Sequence, residues 1–536
     1  MAPKLIVLGW DSATFDVIDP LIALGRLPAL ASLQDQGFRA PLQSTWPPMT
    51  DCAWTTAFTG RQAGGHGIVG SWYRAPGQYS CRYFSSRDRK AKAVWEMAPQ
   101  TRFLVWNVPM AFPPEQIDGV MVSGYGAPPG ARFTAPESFQ DHLARRWPLD
   151  DILDRAPHGP LEAFRADLLR GLEVQGEALV WAAKESGADC VLAVWPHVDR
   201  AQHFFWRYRG TSHPLASAVD DVYEAMDRAT AKVLEAFPDA AVLVVSDHGA
   251  GPLHADVNVG AWLAAKGYAA YGRGRGAPLV RLAWGLPPSV RRAARRVAPG
   301  LARNAFAATL SGQLGPFDWE DTTAFVGFHG DLWLNLAGRE RHGTVAEASA
   351  GEVLEEIAAA LLAVQDPRTG EPVFAAVHRR ADVFWGPQAH VTPDAVLDSW
   401  TTGYRVAPRR GPEGDVVADP SPLAGVEVAW SSDHRPQGVL AAGGPRVAAG
   451  RAERLDLFDL CPTVLALLGE SIPEGLDGRA RPELIAPSFL RRNPLRYSPA
   501  RSGAPSGDRL AQGSDQYSAE EAEAVASHLK DLGYIE

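Results

Sequence analysis

Short apolar runs, rich in β-branched residues, punctuate the first half of the chain, and acidic residues stand where they stop. Leu5-Ile6-Val7-Leu8-Gly9-Trp10 meets Asp11, and Ala241-Val242-Leu243-Val244-Val245-Ser246 meets Asp247-His248-Gly249. A third run, Cys190-Val191-Leu192-Ala193-Val194-Trp195, leads to Asp199 and then His203. Continuous apolar runs of this length predict strands buried on both faces, as in a parallel sheet. Between them the spacing turns helical: Ile, Leu and Ala recur at helical intervals over 15–36, and Leu161–Ser186 predicts a long amphipathic helix. Phe103–Trp106 and 120–122 predict two further short strands. The alternation predicts a doubly wound α/β fold, a mostly parallel sheet with helices on both faces.

The pattern changes after Asp256. No acidic residue occurs from Val257 to Phe317, while Arg273, Arg275, Arg281, Arg291, Arg292, Arg295, Arg296 and Arg303 recur among Trp262, Tyr268, Tyr271, Leu279, Leu282 and Trp284. These residues predict an inserted basic cap over 256–323, between a first core part at 1–255 and a second at 324–486. Such a cap is either a solvated helix face or a lid that attracts an anionic substrate or a phospholipid head group. The second core part contains a strand at 333–336, a helix at 345–362, a strand at 438–440 and a helix at 455–469. Residues 487–536 predict a surface strap rich in Arg, Pro, Ser and Gly, then a C-terminal helix opened by Ser518-Ala519-Glu520-Glu521.

Composition narrows the class. A chain of 536 residues exceeds one small core, and 46% hydrophobic with 21% charged residues is ordinary for a soluble globular protein. The net charge of −10 argues against a general nucleic-acid binder. Cys52, Cys81, Cys190 and Cys461 are scattered without paired metal-binding spacing and read as reduced thiols. Met1-Ala2-Pro3-Lys4 enters the first strand at once, leaving no room for a signal peptide. No apolar stretch approaches the roughly 18 residues of a spanning helix. The expectation is a cytoplasmic protein without a transmembrane segment.

Ligands of open α/β sheets gather outside the carboxyl ends of the strands. The acids and imidazoles after the three runs would therefore meet at one rim, which is the layout of a metal centre. A single Asp after a strand is more often a helix cap or turn residue. The conjunction of three strand ends with compatible ligands favours the metal.

Further motifs lie between these strands. Trp46-Pro47-Pro48-Met49-Thr50-Asp51-Cys52-Ala53-Trp54 is followed by Thr59-Gly60 and His66-Gly67-Ile68. Asn107-Val108-Pro109, Gln202-His203-Phe204-Phe205-Trp206, His434, Asp459-Leu460-Cys461-Pro462-Thr463 and Leu476-Asp477-Gly478-Arg479 come later. Taken in order with Asp11, Asp199, His203 and Asp247-His248-Gly249, this set resembles the alkaline phosphatase superfamily over most of residues 4–480. The similarity is to its type I phosphodiesterase/nucleotide pyrophosphatase branch.

That resemblance implies a catalytic Thr50 and two divalent metal ions. Asp11, Asp247, His248 and the Thr50 hydroxyl would hold one ion; Asp199, His203 and His434 would hold the other. Mixed imidazole and carboxylate ligands suit Zn²⁺ first, with Mn²⁺ or Fe²⁺ as alternatives. A threonine hydroxyl is a poor nucleophile until coordination to a divalent ion lowers its pKa. The implied course is in-line attack by Thr50, a phospho-threonine intermediate and its hydrolysis. The implied substrate is a small-molecule phosphodiester or pyrophosphate, nucleotide or lipid-derived. The alternative is a phosphomonoesterase or phosphonate-ester hydrolase on the same scaffold. A sulfatase is disfavoured, because Thr50-Asp51-Cys52-Ala53-Trp54 lacks the Cys/Ser-x-Pro-x-Arg pattern. His66, in a Gly-rich turn, reads as structural. His197 and His254 read as outer donors to the ligands or as satisfied buried histidines, Asn107 as a lesser candidate for phosphate contact, and Asp456 and Asp477 as caps.

Overall fold

The three apolar runs lie side by side as parallel strands at the centre of a ten-stranded sheet. In the computed structural model, Leu5–Trp10 pairs with Cys190–Trp195 on one side and Ala241–Val245 on the other, with Leu5 opposite both Cys190 and Ala241. The structure describes residues 2–79, 81–128, 130–153, 159–271, 317–327, 329–407, 415–421, 428–499 and 525. The two-sided burial read from the runs is literal. Ile6, Leu8 and Trp10 enter one apolar cluster while Leu5 and Val7 enter another across the sheet. Helices Leu161–Ser186, His197–Phe205 and Ala218–Ala236 cover the first face; Thr50–Thr59 and Leu460–Leu468 cover the second.

From one edge the strands run Gly450–Arg451, Phe38–Gln43, Gln437–Gly443, Ala241–Val245, Leu5–Trp10, Cys190–Trp195, Phe103–Trp106, Gly119–Val122 and Thr134–Ala135, with Leu455–Asp456 also on Phe38–Gln43. The five from Ala241–Val245 to Gly119–Val122 are mutually parallel. Gln437–Gly443 runs antiparallel to both neighbours. This is the doubly wound, mostly parallel sheet expected from the alternation. The helical stretch at 15–36 divides into Phe15–Ala23 and Pro28–Gln36. Gly25, with φ of +70°, turns the chain between them, and Pro28 opens the second.

Residues after Asp256 behave differently from the pattern reading. Ala324–Val326, Asp331–Leu334, Ala395–Asp398 and Ala376–Arg379 form a separate four-stranded sheet, all antiparallel. Tyr404–Val406, Ala255–Val257 and Val417–Ala418 form a three-stranded one. Together with helix Ala350–Leu362 they enclose their own apolar cluster, including Trp262, Leu332, Ile357 and Tyr404. The strand signal resuming near 324 thus builds a second module, and among the described residues the ten-stranded sheet is next joined at Gln437–Gly443. Four-residue apolar runs announce strands but not which sheet they join. The arginine-rich stretch from Arg273 to Arg303 and the helix opened by Ser518 lie outside the described residues. Part of the strap is described: Pro487–Arg492 is helical, and Tyr497–Ser498 pairs with Ile472–Pro473.

Candidate metal centre

Register fixes the site. Because the three central strands are parallel and aligned, with Trp10 opposite Trp195 and Gly9 opposite Val245, their carboxyl ends stop at one level. Asp11 follows the middle strand, and Asp247 and His248 follow its neighbour beyond Ser246. Asp199 and His203 stand one turn apart on the helix after the third strand, so both project from one face. His434 arrives from far along the chain on Ser432–Arg435, which pairs antiparallel with Gly249–Pro252 and sets His434 opposite Ala250. Thr50 is the first residue of helix Thr50–Thr59 and is 3% exposed.

These residues gather into two adjoining clusters, Asp11–Asp247–His248 and Asp199–His203–His434, all buried. His248 Nε2 lies 3.1 Å from Asp247 Oδ2 and 3.9 Å from Asp11 Oδ1. Asp199 Oδ1 lies 3.0 Å from His203 Nε2 and 3.6 Å from His434 Nε2. The clusters touch through stacked rings, with His248 and His434 centroids 3.7 Å apart. Thr50 Oγ1 is 3.3 Å from His248 Nε2. All seven residues named from the sequence are therefore brought to one place.

The donor set fits divalent cations. Each histidine Nδ1 sits on a backbone carbonyl: His203 on Ser432 at 3.0 Å, His248 on Gly249 at 3.1 Å and His434 on Pro48 at 2.8 Å. A neutral imidazole that donates from Nδ1 offers Nε2 as a lone pair, and these lone pairs face carboxylate oxygens. Asp11 Oδ1, both Asp199 oxygens, Asp247 Oδ2, His203 Nε2 and His434 Nε2 are buried without a hydrogen bond. Facing acceptors of this kind call for a proton or a metal ion between them, and the donor set suits a divalent cation.

The electrostatics agree. Burial first, and the neighbouring carboxylates after it, push Asp11 and Asp247 well above the carboxylate range. Burial also opposes the Asp199 charge, but His203 and His434 outweigh it and hold that carboxyl well below the usual range. Burial lowers His248 well below an ordinary imidazole. It works the same way on His434, yet Asp199 and Asp433 outweigh it and raise that ring. Without metal the clusters balance their charge with protons; divalent ions would replace them.

Supporting contacts went unread in the sequence. Trp54 donates its indole N–H to Asp11 Oδ2 at 3.0 Å. It stands one helical turn after Thr50, a spacing that could have flagged it. Ser12, at φ +66°, donates its backbone N–H to Asp247 Oδ1 at 3.2 Å, and Gln202 Nε2 holds the Ser12 carbonyl at 2.9 Å. A left-handed serine leaves no trace in a hydropathy pattern.

The remaining candidates lie elsewhere or serve packing. His66 Nε2 is 2.9 Å from Thr56 Oγ1, its Nδ1 accepts from Ile68 N at 3.1 Å, and burial drives it to about 3. It is a neutral brace inside the helical layer. His197 packs against Gly171 of the long helix, and His254 faces Gly403 and Tyr404. Asn107 accepts from Gly124 N at 3.0 Å and donates to the Ile152 carbonyl at 3.0 Å, so it ties loops together. Asp456 caps the turn before Leu460–Leu468, and Asp477 accepts from Gln62 N at 2.9 Å and Trp385 Nε1 at 3.0 Å.

Comparisons with known proteins bear on this geometry. The family model described as type I phosphodiesterase/nucleotide pyrophosphatase matches residues 5–415, and His434 lies beyond the matched span. Murine ectonucleotide pyrophosphatase/phosphodiesterase 5, solved as an inactive variant with AMP, is 12% identical with a TM-score of 0.51, covering 90% of this chain and 100% of that one. Phosphonoacetate hydrolase from Sinorhizobium meliloti, solved with phosphonoacetate, is 16% identical with a TM-score of 0.53, covering 86% and 94%. A mutant of the alkaline phosphatase PafA is 14% identical with a TM-score of 0.52, covering 91% and 99%. At these identities the likeness establishes a shared fold. No curated protein matches the sequence.

Proposed function

The chain belongs to the type I phosphodiesterase/nucleotide pyrophosphatase family and is a phosphoric ester hydrolase; on that premise we propose that it cleaves phosphodiester or pyrophosphate bonds with Thr50 as nucleophile and two divalent metal ions. The observation that carries this reading is the placement of Thr50 Oγ1, 3.3 Å from His248 Nε2, beside two adjoining buried clusters. Asp11, Asp247, His248 and Thr50 would hold one ion, and Asp199, His203 and His434 the other, with Zn²⁺ favoured by three imidazoles. When bound, the ions supply the charge that acidifies the Thr50 hydroxyl and neutralises the departing oxygen.

The chain does the rest. Thr50 Oγ1 stands 3.3 Å from His248 Nε2, so the helix start places the hydroxyl beside the lone pair that would face the same ion. The amides of that first turn have no intrahelical acceptors and, with the helix dipole, favour a non-bridging phosphoryl oxygen. Thr50 Oγ1 gives its proton to solvent and attacks phosphorus in line as the bond to the leaving oxygen breaks; that oxygen takes up a proton, giving phospho-Thr50 and the freed alcohol or phosphate. Water then gives up a proton and attacks the same phosphorus, the Thr50 Oγ1–phosphorus bond breaks, and Thr50 Oγ1 takes a proton back. The murine phosphodiesterase is inactive with a threonine changed to alanine, in keeping with this role.

A phosphomonoesterase or phosphonate-ester hydrolase is the competing reading, and it calls for added positive charge at the pocket. Arg435 follows His434 but gives its guanidinium to the carbonyls of Asp433, His434 and Pro252, which favours the diester. The reading includes a small-molecule nucleotide or lipid-derived substrate and a cytoplasmic location, the latter testable by cell fractionation. No helix among the described residues is long and apolar enough to cross a membrane.

The test compares bis-p-nitrophenyl phosphate with p-nitrophenyl phosphate on Zn²⁺- or Mn²⁺-loaded protein, with Thr50→Ala as control. A diester preference lost in the variant is expected. A monoester preference would move the protein to the competing class.

A further inference from the structure

One short segment grips His203 at three points. The Trp430 indole stacks on its imidazole, with centroids 3.6 Å apart and planes 20° from parallel. Ser431 donates its backbone N–H at 2.7 Å and its hydroxyl at 3.1 Å to the His203 carbonyl. The Ser432 carbonyl lies 3.0 Å from His203 Nδ1. The same segment then delivers His434 to the cluster that contains His203.

The stack is kept at a cost. Trp430 is 8% exposed, and its indole N–H is buried without a hydrogen bond. An unpaired buried donor is destabilising, and a phenylalanine would avoid it. The indole offers a larger π face and the best ring for a cation. Arg405 lies 5.5 Å from that ring. Its Nε and Nη2 reach Asp256 Oδ1 at 2.8 and 2.7 Å, and Asp256 Oδ2 also accepts from Ser421 N and Oγ at 2.9 and 2.8 Å. Asp256 and Arg405 are register partners in the three-stranded sheet of the second module. A continuous set of contacts therefore runs from that module through Trp430 to His203.

We propose that Trp430 is a positioning residue for the Asp199–His203–His434 cluster. Held flat against the indole, the His203 ring cannot swing about its terminal torsion, which is otherwise broad. It stays in the orientation that bonds Nδ1 to Ser432 and aims Nε2 at Asp199. Arg405 ties the stack to the second module. The metal-binding consequence rests on the two-metal reading above; the ring orientation does not.

The experiment combines ¹⁵N-histidine NMR of the metal-free full chain at alkaline pH with Zn²⁺ titration calorimetry. Wild type should show His203 as a single Nδ1-protonated tautomer, and Trp430→Leu and Trp430→Met should show a mixture. In these variants one of two Zn²⁺ ions should bind about tenfold to a hundredfold more weakly, the other unchanged. Trp430→Phe should restore the tautomer and bring affinity within about threefold of wild type. Folded Leu and Met variants with the wild-type tautomer and both affinities intact would overturn the proposal. Should neither fold, a loss of about tenfold or more in Trp430→Phe would overturn it instead. If wild type binds no Zn²⁺, the two-metal reading falls while the tautomer still decides the role of Trp430.

Discussion

Trp54 and Asp11 join the two faces of the candidate site: the indole N–H of Trp54 meets Asp11 Oδ2 at 3.0 Å, leaving Asp11 Oδ1 buried without a hydrogen bond. The helix that carries Thr50 thereby fixes a carboxylate at the end of the central strand. One Asp11 oxygen is held by the protein and the other is left for a cation. Trp54→Phe keeps most of the packed volume but removes the donor. The expected outcome is a roughly tenfold to hundredfold loss of affinity for one ion, with the other site little changed, measured by titration calorimetry.

Gly9 sets how closely that indole can approach. A Cβ added there would lie 2.5 Å from Trp54 Cη2 and 2.9 Å from Val194 Cγ2. Gly9→Ala must displace a buried ring or the neighbouring strand. It is expected to cost about 1–3 kcal/mol in denaturant unfolding and to weaken metal binding as Trp54 leaves Asp11.

Chelation should act on stability as well as activity. Three buried carboxylates share this site, and ligands that bind only the folded state stabilise it by mass action. EDTA is expected to abolish hydrolysis and lower Tm, with both restored by two equivalents of Zn²⁺ or Mn²⁺. His203→Ala should retain one equivalent. Full activity after exhaustive chelation, with metal content verified as nil, would count against the account.

Asp331, in the second module, makes a separate pH prediction. Burial raises its carboxyl from 3.8 to about 8, with Arg74 opposing. In the folded protein it keeps its proton up to about pH 8, whereas the unfolded chain releases it near 3.8. Stability from this group is therefore full below the unfolded value and is lost as pH rises through about 8. Asp331→Asn should flatten that decline and, near pH 8, stabilise the protein relative to wild type. Chemical denaturation across pH 5–9 reads it; a variant with the wild-type slope would refute the assignment.

The legible parts of the sequence were those with strong local signatures. Leu5–Trp10, Cys190–Trp195 and Ala241–Val245 are apolar at nearly every position, and only a two-faced parallel sheet buries such strands. Sheet polarity then brings Asp11, Asp199 and Asp247 together, because the residues after aligned parallel strands share one edge. His434 and Thr50 carry no such signal; only the ordered resemblance pointed to them. The second module was obscured because antiparallel pairing among Ala324–Val326, Asp331–Leu334 and Ala395–Asp398 is a long-range choice that hydropathy does not encode. The contacts from Ser12, Trp430 and the carbonyls of Pro48, Gly249 and Ser432 depend on backbone geometry and ring placement, which no spacing rule reveals.

The most direct test of the central claim is rapid acid quench of the Zn²⁺-loaded protein during turnover of bis-p-nitrophenyl phosphate, followed by peptide mass spectrometry. The account requires an esterified phosphoryl group on Thr50 in the wild type and none in Thr50→Ala. Single-turnover hydrolysis at an undiminished rate by Thr50→Ala, or wild-type product formation with no modification at Thr50 at any quench time, would contradict it.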